Sequence, residues 1–164
     1  MKFLKRLFLL TAFILLGSIS FVAFPQGMKI VTGHPDFKMK VTRCEESGNK
    51  VYVDLILENI GSSDCKIGIH GGLGGNSNAI DDEGNKYTNS DFLVQLGKGY
   101  PNSGEEYTVL YPEVPVKVKL IISGVPESAT SFKLINLMVQ CSEWNLSWHT
   151  VKLHNVPIYH EGDE

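Results

Sequence analysis

The sequence predicts an all-β fold, an antiparallel sandwich of about seven to nine strands behind an N-terminal signal helix, and three observations carry that prediction. Between Lys50 and Gly61, Val51, Val53, Leu55 and Leu57 alternate with Tyr52, Asp54, Ile56 and Glu58, the period of a strand with one buried face. Beyond residue 24 no segment of ten or more residues has a helical apolar period. Gly, Pro, Asn and Ser turn residues recur between short apolar runs through the rest of the chain. A strand as long and as one-sided as 50–61 needs partners in its own sheet and a second sheet over its apolar face, which places it at the centre of the sandwich.

The N-terminus reads as a targeting segment. Met1 to Arg6 is basic, Leu7 to Phe24 is uncharged and apolar, and Ser18-Ile19-Ser20 sets small residues where a signal peptidase reads. The expectation is a signal peptide over residues 1–20 and an exported product, periplasmic, cell-surface or secreted. The apolar stretch is close to the roughly 18 residues of a membrane span, so an uncleaved anchor extending to residue 24 is the alternative. Residues 21–36, with Gly27, Gly33, His34 and Pro35, read as a flexible linker. The sandwich is assigned to 37–159 and an acidic tail to 160–164.

Within 37–159 the strands follow in order. Phe37, Met39 and Val41 alternate with Lys38, Lys40 and Thr42, and a turn over Glu45–Asn49 makes a hairpin with the central strand, which Asn59 and Gly61 close. Cys65, Ile67 and Ile69 mark a shorter strand leading into Gly71–Asn78, read as an open loop of high backbone freedom. Ala79-Ile80 and Lys86-Tyr87-Thr88 flank a tight hairpin at Asp81–Asn85, and Phe92–Leu96 and Tyr107–Tyr111 are short strands. Val116, Val118, Leu120 and Ile122 alternate with outward Lys117 and Lys119. Phe132–Val139 is continuously apolar, so it lies mid-sheet or is covered on both faces, and Val151 and Leu153 define a last strand before Pro157. This spacing of strands and turns favours a sandwich of immunoglobulin-like type over a closed barrel.

Three of these segments also carry a resemblance. Asn59-Ile60-Gly61 ends the long strand, Asp81-Asp82-Glu83-Gly84-Asn85-Lys86-Tyr87 forms a hairpin, and Gly124-Val125-Pro126 ends a later strand. Together with the closing Val151–Ile158, over residues 37–158, the chain resembles small exported bacterial immunoglobulin-like β-sandwich domains of unknown function. The resemblance implies an envelope or cell-surface domain that binds or props a partner, with no catalytic residues to carry over.

Charge and motifs narrow the function. The formal net charge is −3; Lys2, Lys5 and Arg6 are three of the 15 basic residues, so the chain beyond residue 20 holds 12 basic against 18 acidic groups and carries −6. Nucleic acid and anionic membrane surfaces need clustered Lys and Arg, so neither is expected as a partner, and a membrane enters only through the anchor. No Gly-x-Ser-x-Gly elbow occurs, and no Gly-Lys-Ser/Thr follows the glycine run. His149 and His154 have opposite strand parity, and Asp81, Asp82, Glu83 and Asn85 lack the distal Glu of a calcium loop. The expectation is no enzyme, no cofactor and no metal.

Two features remain as candidate sites. Cys44, Cys65 and Cys141 in an exported chain permit one disulfide, with three pairings open. If Val151 and Leu153 face the core, parity points Trp148, Thr150 and Lys152 outward, with Trp144 on the same side where the strand extends that far back. Trp144, Trp148 and Asn145 would then form a stacking platform for a glycan. The competing reading is a loop over 142–147 that covers the sandwich edge with both tryptophans at least half-buried. The leading function is a non-enzymatic exported envelope or surface domain acting as a protein-interaction or accessory module on an envelope or surface protein. The alternative is a carbohydrate-binding domain using Trp144 and Trp148, and the third is a small secreted hydrolase, which needs acids or histidines converging in a cleft.

Overall fold

The structure, a computed structural model, describes residues 27–32, 37–142 and 147–160. The signal segment, the early linker, Trp144, Asn145 and the end of the acidic tail lie outside the described residues. Eleven strands build the described part: β1 (Lys29–Val31), β2 (Phe37–Glu46), β3 (Lys50–Asn59), β4 (Cys65–His70), β5 (Asn78–Asp81), β6 (Lys86–Tyr87), β7 (Phe92–Leu96), β8 (Glu105–Leu110), β9 (Val116–Ser123), β10 (Ser131–Cys141) and β11 (Trp148–Pro157). The all-β antiparallel sandwich holds, with more strands than the seven to nine expected, because β1 and β6 are only three and two residues long. Strands that short leave no readable alternation. β1 also falls inside the stretch assigned as linker; it pairs with β11, Lys29 opposite His154 and Val31 opposite Lys152.

The smaller sheet has the order β2-β3-β9-β7 and the larger β1-β11-β10-β4-β8, with β5 on β10 and β6 on β5. β3 lies between β2 and β9, as its one-sided pattern requires, and its Val51, Val53, Leu55 and Leu57 are buried with Leu120 and Ile122 of β9. Facing them across the sandwich are Ile67 and Ile69 of β4, Ile135, Leu137 and Val139 of β10, and Val151 and Leu153 of β11. Burial of each such side chain is worth about 1.5–3 kcal/mol, which makes this layer the main source of stability.

The apolar run 132–139 is mid-sheet, with β11 on one side and both β4 and β5 on the other. It is not covered on both faces: Lys133 is exposed and Asn136 half-buried. Ser77 splices the two strands that share this edge. Its buried hydroxyl donates to the His70 carbonyl at the end of β4 and accepts the Met138 N–H at 2.9 Å, so the ladder loses no bond where β4 hands over to β5.

The Gly71–Asn78 segment differs from the open loop expected of it. A Cβ on Gly72 would meet the Asn89 backbone at 2.6 Å, and one on Gly71 the Asn102 and Ser103 backbone at the same distance. These glycines are required for close chain approach. Asn59 also does more than end β3: its side chain is buried, donates to Ser63 O at 2.7 Å and Leu110 O at 3.1 Å, and accepts the Gly61 N–H at 3.0 Å. That explains the Asn-x-Gly motif as a seam between sheets. A second seam is Tyr159, whose backbone joins β2 through Cys44 O and Glu46 N, while the His160 ring lies between the Glu46 carboxylate and the Ala129 carbonyl.

Candidate functional site

Trp148 points outward, as parity with Val151 and Leu153 requires, and is half-buried. Trp144 and Asn145 lie outside the described residues, so the expected pair of indoles is represented by one. The sheet sets other side chains beside Trp148. The register aligns Trp148 with Gln140, Gln140 with Gly68 and Gly68 with Tyr107, and the adjacent row runs Thr150, Met138, His70 and Glu105. The His70 ring meets Trp148 edge-on, with centroids 5.7 Å apart.

This face is a preorganised aromatic and polar surface. Tyr107 lies over Gly68, where a Cβ would come within 2.5 Å of its ring. Lys66 Nζ sits 5.2 Å from the same ring, and the Tyr107 hydroxyl donates to Glu105 at 2.6 Å. That hydrogen bond keeps the phenol protonated beyond its ordinary range. His70 Nδ1 faces the Gly71 carbonyl at 2.9 Å, so it carries the proton, and Nε2 accepts from Asn76 Nδ2 at 3.0 Å. His70 therefore has both nitrogens engaged, with Glu105 4.0 Å from Nε2. The patch offers flat rings and hydrogen-bonding rims rather than an activated nucleophile.

The same face ends at an open strand edge. β8 pairs only with β4, and outside Leu110 the far edge of Glu105–Val109 makes no backbone bond among the described residues. Tyr107 and Val109 are exposed on β8, followed by Tyr111 and Val114. Thr108, whose parity points inward, is only half-buried. Other edges are guarded. β2 carries exposed Lys38 and Lys40, a bulge at Thr42 and the Tyr159 bonds. The far side of β7 is closed by reciprocal 2.8 Å bonds between Val94 and Asn102. Charged side chains, prolines, bulges and very short strands are how edges are kept from pairing; β8 has no Lys, Pro or bulge, and its charges, Glu105 and Glu106, sit at its first two positions, which leaves Tyr107–Val109 an uncharged open edge.

The acidic hairpin is structural. Asp81 is buried; its carboxylate accepts from Glu83 N at 3.0 Å, Asn85 N at 2.8 Å, Asn85 Nδ2 at 2.9 Å and the Tyr87 hydroxyl at 2.6 Å. Burial pushes this carboxyl up, and the four hydrogen bonds outweigh it, leaving the group below its ordinary 3.8. Burial, with Asp81 beside it, drives the Tyr87 phenol well above its ordinary 10.0. Of the three cysteines, Cys65 and Cys141 form the disulfide and Cys44 is buried and unpaired, its thiol pushed up by burial. Among the described residues no three His, Cys, Asp or Glu side chains are grouped to hold a metal.

No protein-family model matches the chain, and no curated protein is similar to it. Among solved structures, the ASH/PapD-like domain 7 of human CEP192 is similar over 90% of this chain and 99% of that one, at 17% identity and a TM-score of 0.42. A family 123 glycoside hydrolase from Clostridium perfringens is similar over 68% of this chain and 20% of its own length, at 10% identity and a TM-score of 0.34. At these scores neither likeness bears on what the chain does.

Proposed function

We propose that this chain is a non-enzymatic interaction module of the cell envelope or surface that takes an extended segment of a partner protein as an added strand on β8. The observation that carries this reading is the open edge of β8, uncharged over Tyr107–Val109, with Tyr107 and Val109 exposed beside it. Main-chain bonds to the edge supply affinity, and alternate side chains supply specificity. Glu105 and Glu106 at the start of β8 fit a basic residue at the facing end of the partner strand, and the apolar face of Val109 and Tyr107 fits apolar residues further along it. Export is supported by the basic and apolar leader and by the disulfide, which belongs in an oxidising compartment.

A displayed library of ten-residue peptides selected against the full-length chain tests the reading. Selected peptides are expected to alternate apolar and polar residues with Lys or Arg at one end, to protect from hydrogen exchange the alternate amides of 105–109 that do not bond β4, and to lose about tenfold or more in affinity to Val109→Lys, an edge guard of the kind β2 carries. Protection elsewhere, or indifference to Val109→Lys, would overturn it. The outward direction of Trp148 beside His70 favours a second reading, a glycan platform on the same sheet. Loss of sugar binding on Trp148→Ala would carry that reading, and retention would remove it.

A further inference from the structure

The outer face of the smaller sheet holds a depression of about 390 Å³, lined by Thr42 of β2, Asp54 and Ile56 of β3, Lys117 and Lys119 of β9 and Gln95 of β7, among others. That volume accommodates a sugar-sized ligand, at the small end of ligand pockets. Strand register sets two rows across it. One runs Lys40, Ile56, Lys117 and the next Arg43, Asp54, Lys119, Gln95; Lys40 and Arg43 stand beside the depression on β2 and the others line it.

The two rows differ in how their charges are satisfied. In the second, Asp54 sits 3.9 Å from Arg43 and 3.7 Å from Lys119, and Arg43 also pairs with Glu45, so two cations meet two anions. In the first, Lys40 and Lys117 flank the half-buried Ile56 and make no ion pair among the described residues. Lys40 has a second explanation as a guard of the β2 edge. Lys117 does not, because β9 lies between β3 and β7 and has no edge to guard. Two uncompensated ammonium groups on either side of an apolar floor attract an anion that also has an apolar face.

Polar groups around that floor keep hydrogen-bonding capacity. Gln95 donates through Nε2 to Gly99 O at 2.8 Å and keeps its carbonyl oxygen as an acceptor. Asp54 retains carboxylate lone pairs, and the Thr42 hydroxyl, which donates to Asp54 O at 3.1 Å, can still accept. Acceptors at the rim match hydroxyl donors, and the ammonium pair matches a carboxylate or sulfate. We propose that this depression binds an anionic sugar, a carboxylated or sulfated ring whose C–H face rests on Ile56 and whose charged group is met by Lys117 in the lining, with Lys40 beside it on β2. The site touches no residue of β8 and lies on the opposite outer face from Trp148, so it stands independently of strand addition.

The test is calorimetric titration of the full-length chain with oligogalacturonate in one arm and a sulfated oligosaccharide in another, beside neutral dextran and polyglutamate. Saturable binding in at least one sugar arm is expected, with none to dextran and weakening as salt is added. Lys117→Gln removes one charge-assisted contact and is expected to weaken that binding about tenfold or more. Lys117 is exposed, so the variant keeps its thermal midpoint, and Ile56→Glu, which sets an anion on the floor, is expected to abolish binding. The proposal is overturned if both sugar arms are silent or if Lys117→Gln binds as wild type. It also fails if polyglutamate binds with the same dependence on Lys117, or if only Trp148→Ala removes the sugar.

Discussion

Replacing Cys65 and Cys141 together by alanine is expected to lower the unfolding free energy by about 4.5 kcal/mol, the loss a chain-entropy estimate gives for a loop of this size. The two cysteines are 76 residues apart in sequence, so their bond removes much freedom from the unfolded chain. Both are buried at the β4–β10 boundary, so alanine leaves no charged or polar group stranded. Urea denaturation with and without reductant checks the prediction. Wild type should shift to a lower midpoint when reduced, and the double variant should not respond. An unchanged wild-type midpoint would mean that the reduced chain is already constrained by other structure.

The second large effect is expected at Asp81. Asp81→Ala strips four hydrogen bonds from one buried carboxylate and leaves the Tyr87 hydroxyl buried against Phe132, for a loss of about 3 kcal/mol. Tyr87→Phe removes one of the four and should cost about half as much. The pair also shapes stability against pH. The folded Asp81 carboxyl is held below 3.8, so its contribution is fully present above that pH and is lost as pH falls through the folded value. The folded Tyr87 phenol is held above 10.0, so its contribution is present below pH 10 and is lost as pH rises through the folded value. Asp82, held low chiefly by the Thr130 hydroxyl, adds to the acid limb, and the Cys44 thiol and Tyr107 phenol, both held high, add to the alkaline limb, so the pair is read from the difference between wild type and Tyr87→Phe. Midpoints measured from pH 8 to 11 should fall for wild type and stay flatter for Tyr87→Phe; parallel curves would show that Tyr87 is not the titrating group.

What the sequence made legible follows from the range of each interaction. The alternation in Lys50–Gly61 is a local period, and β3 appears where it predicts, with the same residues buried. The direction of Trp148 was readable for the same reason, since parity needs only Val151 and Leu153. Its neighbour His70 was not, because contact between them passes through β10, and residues 70 and 148 share no local pattern. Asp81–Tyr87 could be read as a turn, but not as a buried carboxylate and phenol, since burial depends on Phe132 far along the chain. The disulfide stayed open among three pairings because only the register of β4 on β10 brings Cys65 to Cys141. β8 was visible as a strand; that its edge is open depends on which other strands find partners.

Burial of Cys44 has a consequence for the order of events when the chain oxidises. Cys44 and Cys65 are 21 residues apart, by subtraction, against 76 for the native pair. Loop closure in an unfolded chain therefore favours the non-native bridge by about sevenfold. Cys44 leaves that competition only when the second sheet covers β2, since its burial is in the core between the sheets and not within the β2–β3 hairpin. We infer that correct oxidation relies on the core closing over Cys44 first. Reduced protein refolded before oxidant is added should then yield more Cys65–Cys141 bridge by peptide mapping than protein oxidised in denaturant. Equal yields would mean that the odd cysteine never competes.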